Sequence, residues 1–111
     1  MDQENTPSLE QFLLVALLDI YRGLEVRLPA DLDRNIQSNV LKDVLSSAIP
    51  FAESDESRRL ISDELFRCAR EGCTLQEQRE VIVRQSPDVI NAKAVAAAHL
   101  LKIVNKERNM S

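Results

Sequence analysis

The sequence predicts an all-α protein, folded as a compact bundle of about five helices. It contains only 2 glycines and 4 prolines, and aromatic residues make up 4% of the chain. Strands favour β-branched and aromatic residues, whereas helices favour the leucine, alanine, glutamate and arginine that abound here. Apolar residues also recur with a period near 3.6 residues, and capping residues precede several of these stretches.

The length of the chain corresponds to one domain. With 111 residues, of which 44% are hydrophobic and 29% charged, it can bury a core without a structural metal. We expect a single helical domain over residues 6–106, with residues 1–5 and 107–111 fraying as chain ends usually do.

The first two helices are predicted from their capping residues and prolines. Helix 1 should begin at residues 6–8, where Pro7 suits the first helical position, and end near Gly23. Helix 2 should run over residues 31–48, capped by Asp31 and ended by Pro50. Its predicted apolar stripe consists of Leu32, Ile36, Val40, Leu41, Val44, Leu45 and Ala48.

The remaining three helices have clearer boundaries. Helix 3 should follow a Ser54 cap and stop at Gly72, with a buried stripe of Leu60, Ile61, Leu65, Cys68 and Ala69. Thr74, with Glu77 three residues later, forms a capping box for a fourth helix over residues 75–85. A fifth helix should extend from Pro87 to about Asn105.

Helix 1 has more apolar residues than one buried face can hold. Leu14, Val15 and Leu18 lie outside its core arc. Such a helix is either the central helix of its bundle or one that binds a second partner. The second interpretation makes these three residues a partner interface, together with Ala94 and Ala98 of the alanine-rich helix 5. The core arc itself is predicted as Leu9, Phe12, Leu13, Ala16, Leu17, Ile20, Tyr21 and Leu24.

The sequence predicts the structural state of two cysteines and one lysine. Cys68 and Cys73 are expected to be free thiols, and with a single histidine they cannot supply the four ligands of a zinc site without carboxylates or a second chain. Lys93 falls on the apolar side of helix 5, where its stem should cover the core while its ammonium reaches water. The alternative is a buried pair with an acid such as Asp19.

No arrangement typical of catalysis or cofactor binding is present in the sequence. His99 is the only histidine and should lie at the edge of helix 5. With glycines only at positions 23 and 72, neither a phosphate-binding loop nor a dinucleotide fingerprint can form. The acids of helix 3 are explained by capping and solvation. We therefore expect no enzyme, no cofactor and no metal.

The charge distribution leaves nucleic-acid binding as an alternative. The net charge of -4 disfavours the broad basic surface that duplex nucleic acid selects. Six arginines of helices 3 and 4 could still contact RNA or DNA, although they alternate with acids as solvated ion pairs do. These arginines are Arg58, Arg59, Arg67, Arg70, Arg79 and Arg84.

Targeting signals are not found in the chain. Asp2 and Glu4 stand where a secretory signal carries positive charge, and the longest apolar run, residues 12–18, is too short to span a bilayer. We expect a cytoplasmic protein that does not bind membranes. The expected function is that of a helical protein–protein interaction module, an adaptor, regulatory or assembly subunit that self-associates as a homo-oligomer or joins a larger assembly.

Overall fold

The computed structural model describes residues 9–27 and 34–110, with side chains described for residues 11–26 and 34–106. Within these stretches the chain forms five α-helices and one 3-10 turn, and no strand, which confirms the all-α prediction. The elements are α1 (Leu9–Arg27), α2 (Arg34–Ala48), the 3-10 turn (Ile49–Phe51), α3 (Asp55–Glu71), α4 (Leu75–Ile82) and α5 (Pro87–Met110).

Helix α5 is the centre of the bundle. It packs against α1, α2, α3 and the 3-10 turn, and α2 also packs along α3. Helix α1 lies mainly on α5 and makes a smaller contact with α4. Helix α1 is therefore not the central helix, so a central position does not explain its apolar character. The central helix is α5, whose small side chains allow neighbours on several sides.

Helix α1 is longer than predicted at its C-terminal end. It continues through Gly23 to Arg27. A glycine inside a helix costs only about 1 kcal/mol relative to alanine, and Leu24 just beyond it is fully buried. Burial of Leu24 offsets that cost. The predicted start at residues 6–8 lies outside the described residues.

Helix α2 and the turn after it agree with the predicted stop. Helix α2 ends at Ala48, and Pro50 lies in the 3-10 turn that follows. The predicted Asp31 cap and Leu32 lie outside the described residues. Most of the predicted stripe is buried or half-buried, but Ile36 is exposed.

Helix α3 has the predicted cap but a narrower buried face. The Ser54 hydroxyl accepts a hydrogen bond from the Ser57 backbone N–H at 3.1 Å. Ile61 and Cys68 are buried, whereas Leu60 is 39% exposed and Ala69 is exposed. The prediction was wrong for these two residues because each lies about 100° around the helix from its buried neighbour in the sequence.

Helices α4 and α5 differ from the predictions at their ends. The Thr74 cap is present, with its hydroxyl accepting from the Glu77 backbone N–H at 3.1 Å. Helix α4 stops at Ile82 rather than near Gln85, because the backbone N–H groups of Arg84 and Gln85 bond three residues back, to the carbonyls of Val81 and Ile82, in a tight turn. Helix α5 continues to Met110, past the predicted end near Asn105. Residues 1–5 and 111 lie outside the described residues, and of 107–110 only the helical backbone is described.

A disulfide joins Cys68 to Cys73, so the prediction of free thiols was wrong. Gly72 has a positive φ of 79° and its N–H bonds to the Cys68 carbonyl at 2.8 Å. This turn brings the two cysteine Cα atoms to 5.1 Å, within the range that a disulfide spans. Spacing along the sequence could not reveal this approach, because it depends on how the backbone turns at Gly72.

None of the helices formed by the described residues is both long enough and apolar enough to cross a bilayer.

Candidate functional site

Helix α1 leaves one apolar face uncovered. Phe12, Val15 and Val26 are 65%, 56% and 71% exposed, and Asp19 and Arg22 lie exposed between them. We call these five residues the outer face of α1. Their spacing of three, four, three and four residues places them within an arc of about 80° on a helix that turns 100° per residue. The face is thus a continuous stripe along four turns.

The two charged residues of the outer face have no partner among the side chains that the structure describes. Among the described side chains, neither Asp19 nor Arg22 forms an ion pair. The neighbouring acid Glu25 differs, because its carboxylate lies 2.8 Å from the guanidinium of Arg79 on α4. That pair borders the outer face and joins α1 to α4, and it leaves the charges of Asp19 and Arg22 available to another molecule.

The interface predicted from the sequence overlaps this face in one residue. Val15 belongs to the outer face, whereas Leu14 and Leu18 are half-buried and pack against the core. On α5, Ala94 is also half-buried against the core and Ala98 is exposed. The part that these four residues play in partner binding stays a prediction.

Phe12 and Val26 were missed as surface residues. Phe12 was assigned to the core arc, and its large exposure shows that this assignment was wrong. The regular spacing of the outer face was visible in the sequence. The predicted core arc does face inward, since Leu17, Tyr21 and Leu24 are buried. The sequence did not reveal where this arc ends, because that depends on where α5 lies.

A buried polar cluster lies on the other side of the bundle, between α3, α4 and α5. The Lys93 ammonium donates to Glu64 Oε2 at 2.7 Å, to Gln85 Oε1 at 2.7 Å and to Gln78 Oε1 at 3.1 Å. The Gln78 side-chain amide returns a hydrogen bond to Glu64 at 3.3 Å, and the Gln85 amide also donates to Glu64. We call these four residues the Lys93 cluster.

The cluster corrects the expectation for Lys93. Its side chain is fully buried, so its ammonium does not reach water. The alternative, a buried ion pair, was right, but its predicted partner was wrong. The acid is Glu64, whereas Asp19 lies on the outer face of α1. Glu64 had been assigned to a solvated surface. No short-range pattern marks this pair, since its members are 29 residues apart.

The environment of the cluster shifts two pKa values. Burial lowers the pKa of Lys93, and the charge and hydrogen bond of Glu64 oppose that shift. Tyr21 of α1 is also fully buried, and its hydroxyl has no hydrogen-bond partner within the described part of the chain. Burial, helped by the nearby negative charge of Glu64, raises the pKa of Tyr21. The tyrosine therefore stays protonated.

The geometry of the Lys93 cluster is suited to holding helices together rather than to reacting with a substrate. Each of the three ammonium N–H bonds of Lys93 has an acceptor, one from α3, one from α4 and one from the turn that precedes α5. A lysine held in this way is not free to attack a substrate. The cluster fixes α3 and α4 against α5 and so supports the surface on which α1 packs.

The six predicted nucleic-acid contacts fall into two groups. Arg58 donates to the backbone carbonyl of Ala52 at 2.7 Å and pairs with Asp55, and Arg79 pairs with Glu25. Both therefore serve the fold. The other four are exposed and form no ion pair with any described residue. They are Arg59, Arg67, Arg70 and Arg84.

The single histidine lies in an aromatic contact. The rings of His99 and Phe51 stack with centroids 6.2 Å apart, next to a groove of about 350 Å³ between α2 and α5. No group of three or more histidine, cysteine or acidic side chains that could hold a metal ion occurs among the described residues.

Comparisons with family models, with curated proteins and with solved structures found no match to this chain. Relatives therefore contribute nothing to the functional assignment. The function proposed for this protein depends on its own exposed residues, their spacing and their charges.

Proposed function

We propose that the protein is a helical protein–protein interaction module that associates with itself through the outer face of α1. The exposure of Phe12, Val15 and Val26 on one side of one helix supports this proposal. Full burial of such a side chain contributes about 1.5–3 kcal/mol. Three of them on each of two copies favour a reversible dimer, in keeping with an adaptor, regulatory or assembly subunit that has no catalytic step.

The clustering of these residues distinguishes them from other exposed apolar side chains. Single exposed residues such as Phe66 on α3 and Val83 after α4 are ordinary on a protein surface. The outer face of α1 instead gathers three of them on one arc of one helix, with two charged residues between them that can set the register of a helix pair at a cost in affinity. Leu14 and Leu18, at its edge, and Ala94 and Ala98 are proposed to contribute less.

Multi-angle light scattering after size-exclusion chromatography tests the proposal. The untagged protein, run over a tenfold range of concentration, should shift from the mass of one chain towards that of two. Val15→Glu should remain at the mass of one chain, because the new carboxylate would be buried in the interface. Val83→Glu is the matched control, since Val83 is 54% exposed and Val15 is 56% exposed.

The outcomes of this experiment are distinct. The control should associate as the unchanged protein does, and circular dichroism should give the same helix content for all three. A single-chain mass at every concentration would contradict self-association. Association of Val15→Glu equal to that of the unchanged protein would exclude the outer face of α1 as the interface.

The cytoplasmic localisation expected from the sequence is kept as a proposal, and the Cys68–Cys73 disulfide provides its test. Disulfides persist in oxidising compartments and are rare in the cytosol. The Cys68–Cys73 disulfide of the structure therefore counts against a cytosolic location, and in a cytosolic protein this pair should be reduced to two free thiols in the cell. Acid quenching first protonates the thiols and stops thiol–disulfide exchange. Alkylation with a maleimide in denaturant near neutral pH, followed by mass spectrometry, then counts them. A fully oxidised pair would contradict the cytoplasmic assignment.

Nucleic-acid binding is the second candidate function. Four exposed arginines without ion pairs favour it, and Phe66 is exposed beside Arg59 and Arg70 on α3, where a base could stack. Acids such as Asp63 on the same face weaken the attraction for phosphate. An RNA or DNA oligonucleotide should shift at low salt and be released steeply as salt rises. Absence of a shift at low salt would eliminate this candidate.

A further inference from the structure

The outer face of α1 has the spacing of a coiled-coil seam. In a heptad repeat the two core positions, a and d, alternate at intervals of three and four residues. Phe12, Val15, Asp19, Arg22 and Val26 follow this alternation, and all five are exposed. Phe12, Asp19 and Val26 take position a, and Val15 and Arg22 take position d. A second helix can therefore pack its own a and d residues along this stripe.

Two copies of the seam that run antiparallel place complementary residues opposite each other. The midpoint between Asp19 and Arg22 coincides with the midpoint between Val15 and Val26. A two-fold axis through this midpoint would place Arg22 of the partner subunit opposite Asp19 and Val26 of the partner subunit opposite Val15. Position a faces position d in each of these pairs, as it does in antiparallel coiled coils.

The charges of the seam disfavour the other arrangements. A parallel pair in register would place Asp19 against Asp19 of the partner subunit, and like charges in an interface are repulsive. A slip of one heptad in the antiparallel pair would set Asp19 against Val15 of the partner subunit, leaving a carboxylate buried without a counter-charge. The antiparallel register described above is the one that pairs both charges and both valines. Phe12 then lies beyond these pairs, opposite no residue of the partner subunit's α1, because that helix ends at position 27.

We infer that two copies of the chain associate through antiparallel α1 helices, with Asp19 of each copy paired to Arg22 of the other. This inference rests on the proposed function and names the geometry of its dimer. An interface of this kind is isologous, because each copy contributes the same surface. The two central charge pairs lower the affinity relative to apolar residues at these positions, and they fix the register and direction.

Charge reversal at the two positions tests the pairing. Asp19→Arg places two arginines opposite each other, and Arg22→Asp places two aspartates opposite each other, so each variant alone should dimerise at least about tenfold more weakly. An equimolar mixture of the two variants should recover the dimer, because each arginine then meets an aspartate. Asp43→Arg on α2 is the control, since it makes the same change of charge at an exposed residue.

Cross-linking tests the direction. The native cysteines are joined in a disulfide, so a short bis-maleimide reacts only with cysteines that are introduced. Val15→Cys mixed with Val26→Cys should give a cross-linked heterodimer, and each variant alone should give little. A parallel pair would give the opposite result, with Val15→Cys cross-linked to itself.

Failure of the inference can be distinguished from failure of the proposed function. A dimer that charge reversal at Asp19 and Arg22 leaves unchanged, or that cross-links Val15→Cys to itself, would overturn the antiparallel register while self-association stands. A wild-type protein that stays at the mass of one chain would overturn both. Recovery of the dimer in the mixture, together with the Val15–Val26 cross-link, would establish the register.

Discussion

The ammonium of Lys93 lies 2.7 Å from a carboxylate oxygen of Glu64, and the lysine side chain is fully buried. The two side chains are not equally buried. Glu64 is 15% exposed and borders the grooves between α3 and α4. Removal of one partner should therefore have different consequences from removal of the other.

Glu64→Gln should be the more destabilising change of the two. It leaves a buried ammonium without its counter-charge, which costs about 3–5 kcal/mol of unfolding free energy. Lys93→Met replaces the lysine by an apolar side chain of similar length, and the remaining Glu64 can still reach water, so we expect a smaller loss. Urea unfolding followed by circular dichroism measures both. An equal or larger loss for Lys93→Met would contradict this account.

The buried lysine should also produce a pH dependence at alkaline pH. The pKa of Lys93 is lower in the folded protein than its ordinary value of 10.5, so between the two values the unfolded chain binds more protons. The free energy of unfolding should therefore rise with pH in that window. Lys93→Met should lack this rise. Urea titrations at a series of pH values below 10.5 compare the two proteins, and identical profiles would count against the assignment.

Asp88, in the first turn of α5, holds the start of α3. Its carboxylate accepts hydrogen bonds from the backbone N–H groups of Glu53 at 2.9 Å and Ser54 at 3.0 Å. These bonds lower the pKa of Asp88 from 3.8 to about 2. The stability that Asp88 contributes is therefore complete above pH 3.8 and is lost as the pH falls towards 2.

Asp88→Asn should remove this acid-sensitive contribution. At neutral pH the variant should be less stable by about 1 kcal/mol, the scale of a helix cap. As the pH falls from 3.8 towards 2, the difference between the two proteins should shrink, because the unchanged protein loses the same hydrogen bonds. Thermal unfolding at stepped pH measures the difference. A gap that stays constant down to pH 2 would contradict the role of the Asp88 carboxylate.

The Cys68–Cys73 disulfide closes a short loop between α3 and α4. Cross-linking residues five apart in sequence removes chain entropy from the unfolded state, which corresponds to about 2 kcal/mol. Cys68→Ser with Cys73→Ser should lower the free energy of unfolding by about that amount and keep the helix content, because the Ser54 and Thr74 caps remain. A reductant should destabilise the unchanged protein and leave the double variant unaffected.

Gly72 should not tolerate a side chain. Its φ of 79° and ψ of 161° belong to a region that is occupied almost only by glycine. An added Cβ would also lie 3.0 Å from Arg34 Nε and 3.1 Å from Ser38 Oγ. Gly72→Ala should cost about 1–3 kcal/mol. Gly72→Asn should be no better, since asparagine is favoured in the left-handed helical region and not at this ψ. Loss of less than about 0.5 kcal/mol would contradict the argument.

Several features of the fold could be predicted because they depend on neighbours in the sequence. The Ser54 and Thr74 caps act on N–H groups three residues away, and Gly72 ends α3 through its own backbone. The burial of some apolar residues was predicted wrongly, because the local pattern does not determine it. Leu60 and Phe12 fit an apolar period but are exposed, since the period does not state which arc of a helix meets its neighbours.

The sequence by itself determined the helices, the Ser54 and Thr74 caps and the spacing of the outer face, because each of these is set within a few residues along the chain. Tertiary structure alone decided three other features. It placed α5 at the centre, paired Lys93 with Glu64 and turned Phe12, Val15 and Val26 towards solvent. The physical reason is that burial and ion pairing depend on which helices approach one another, and residues distant in sequence determine that approach.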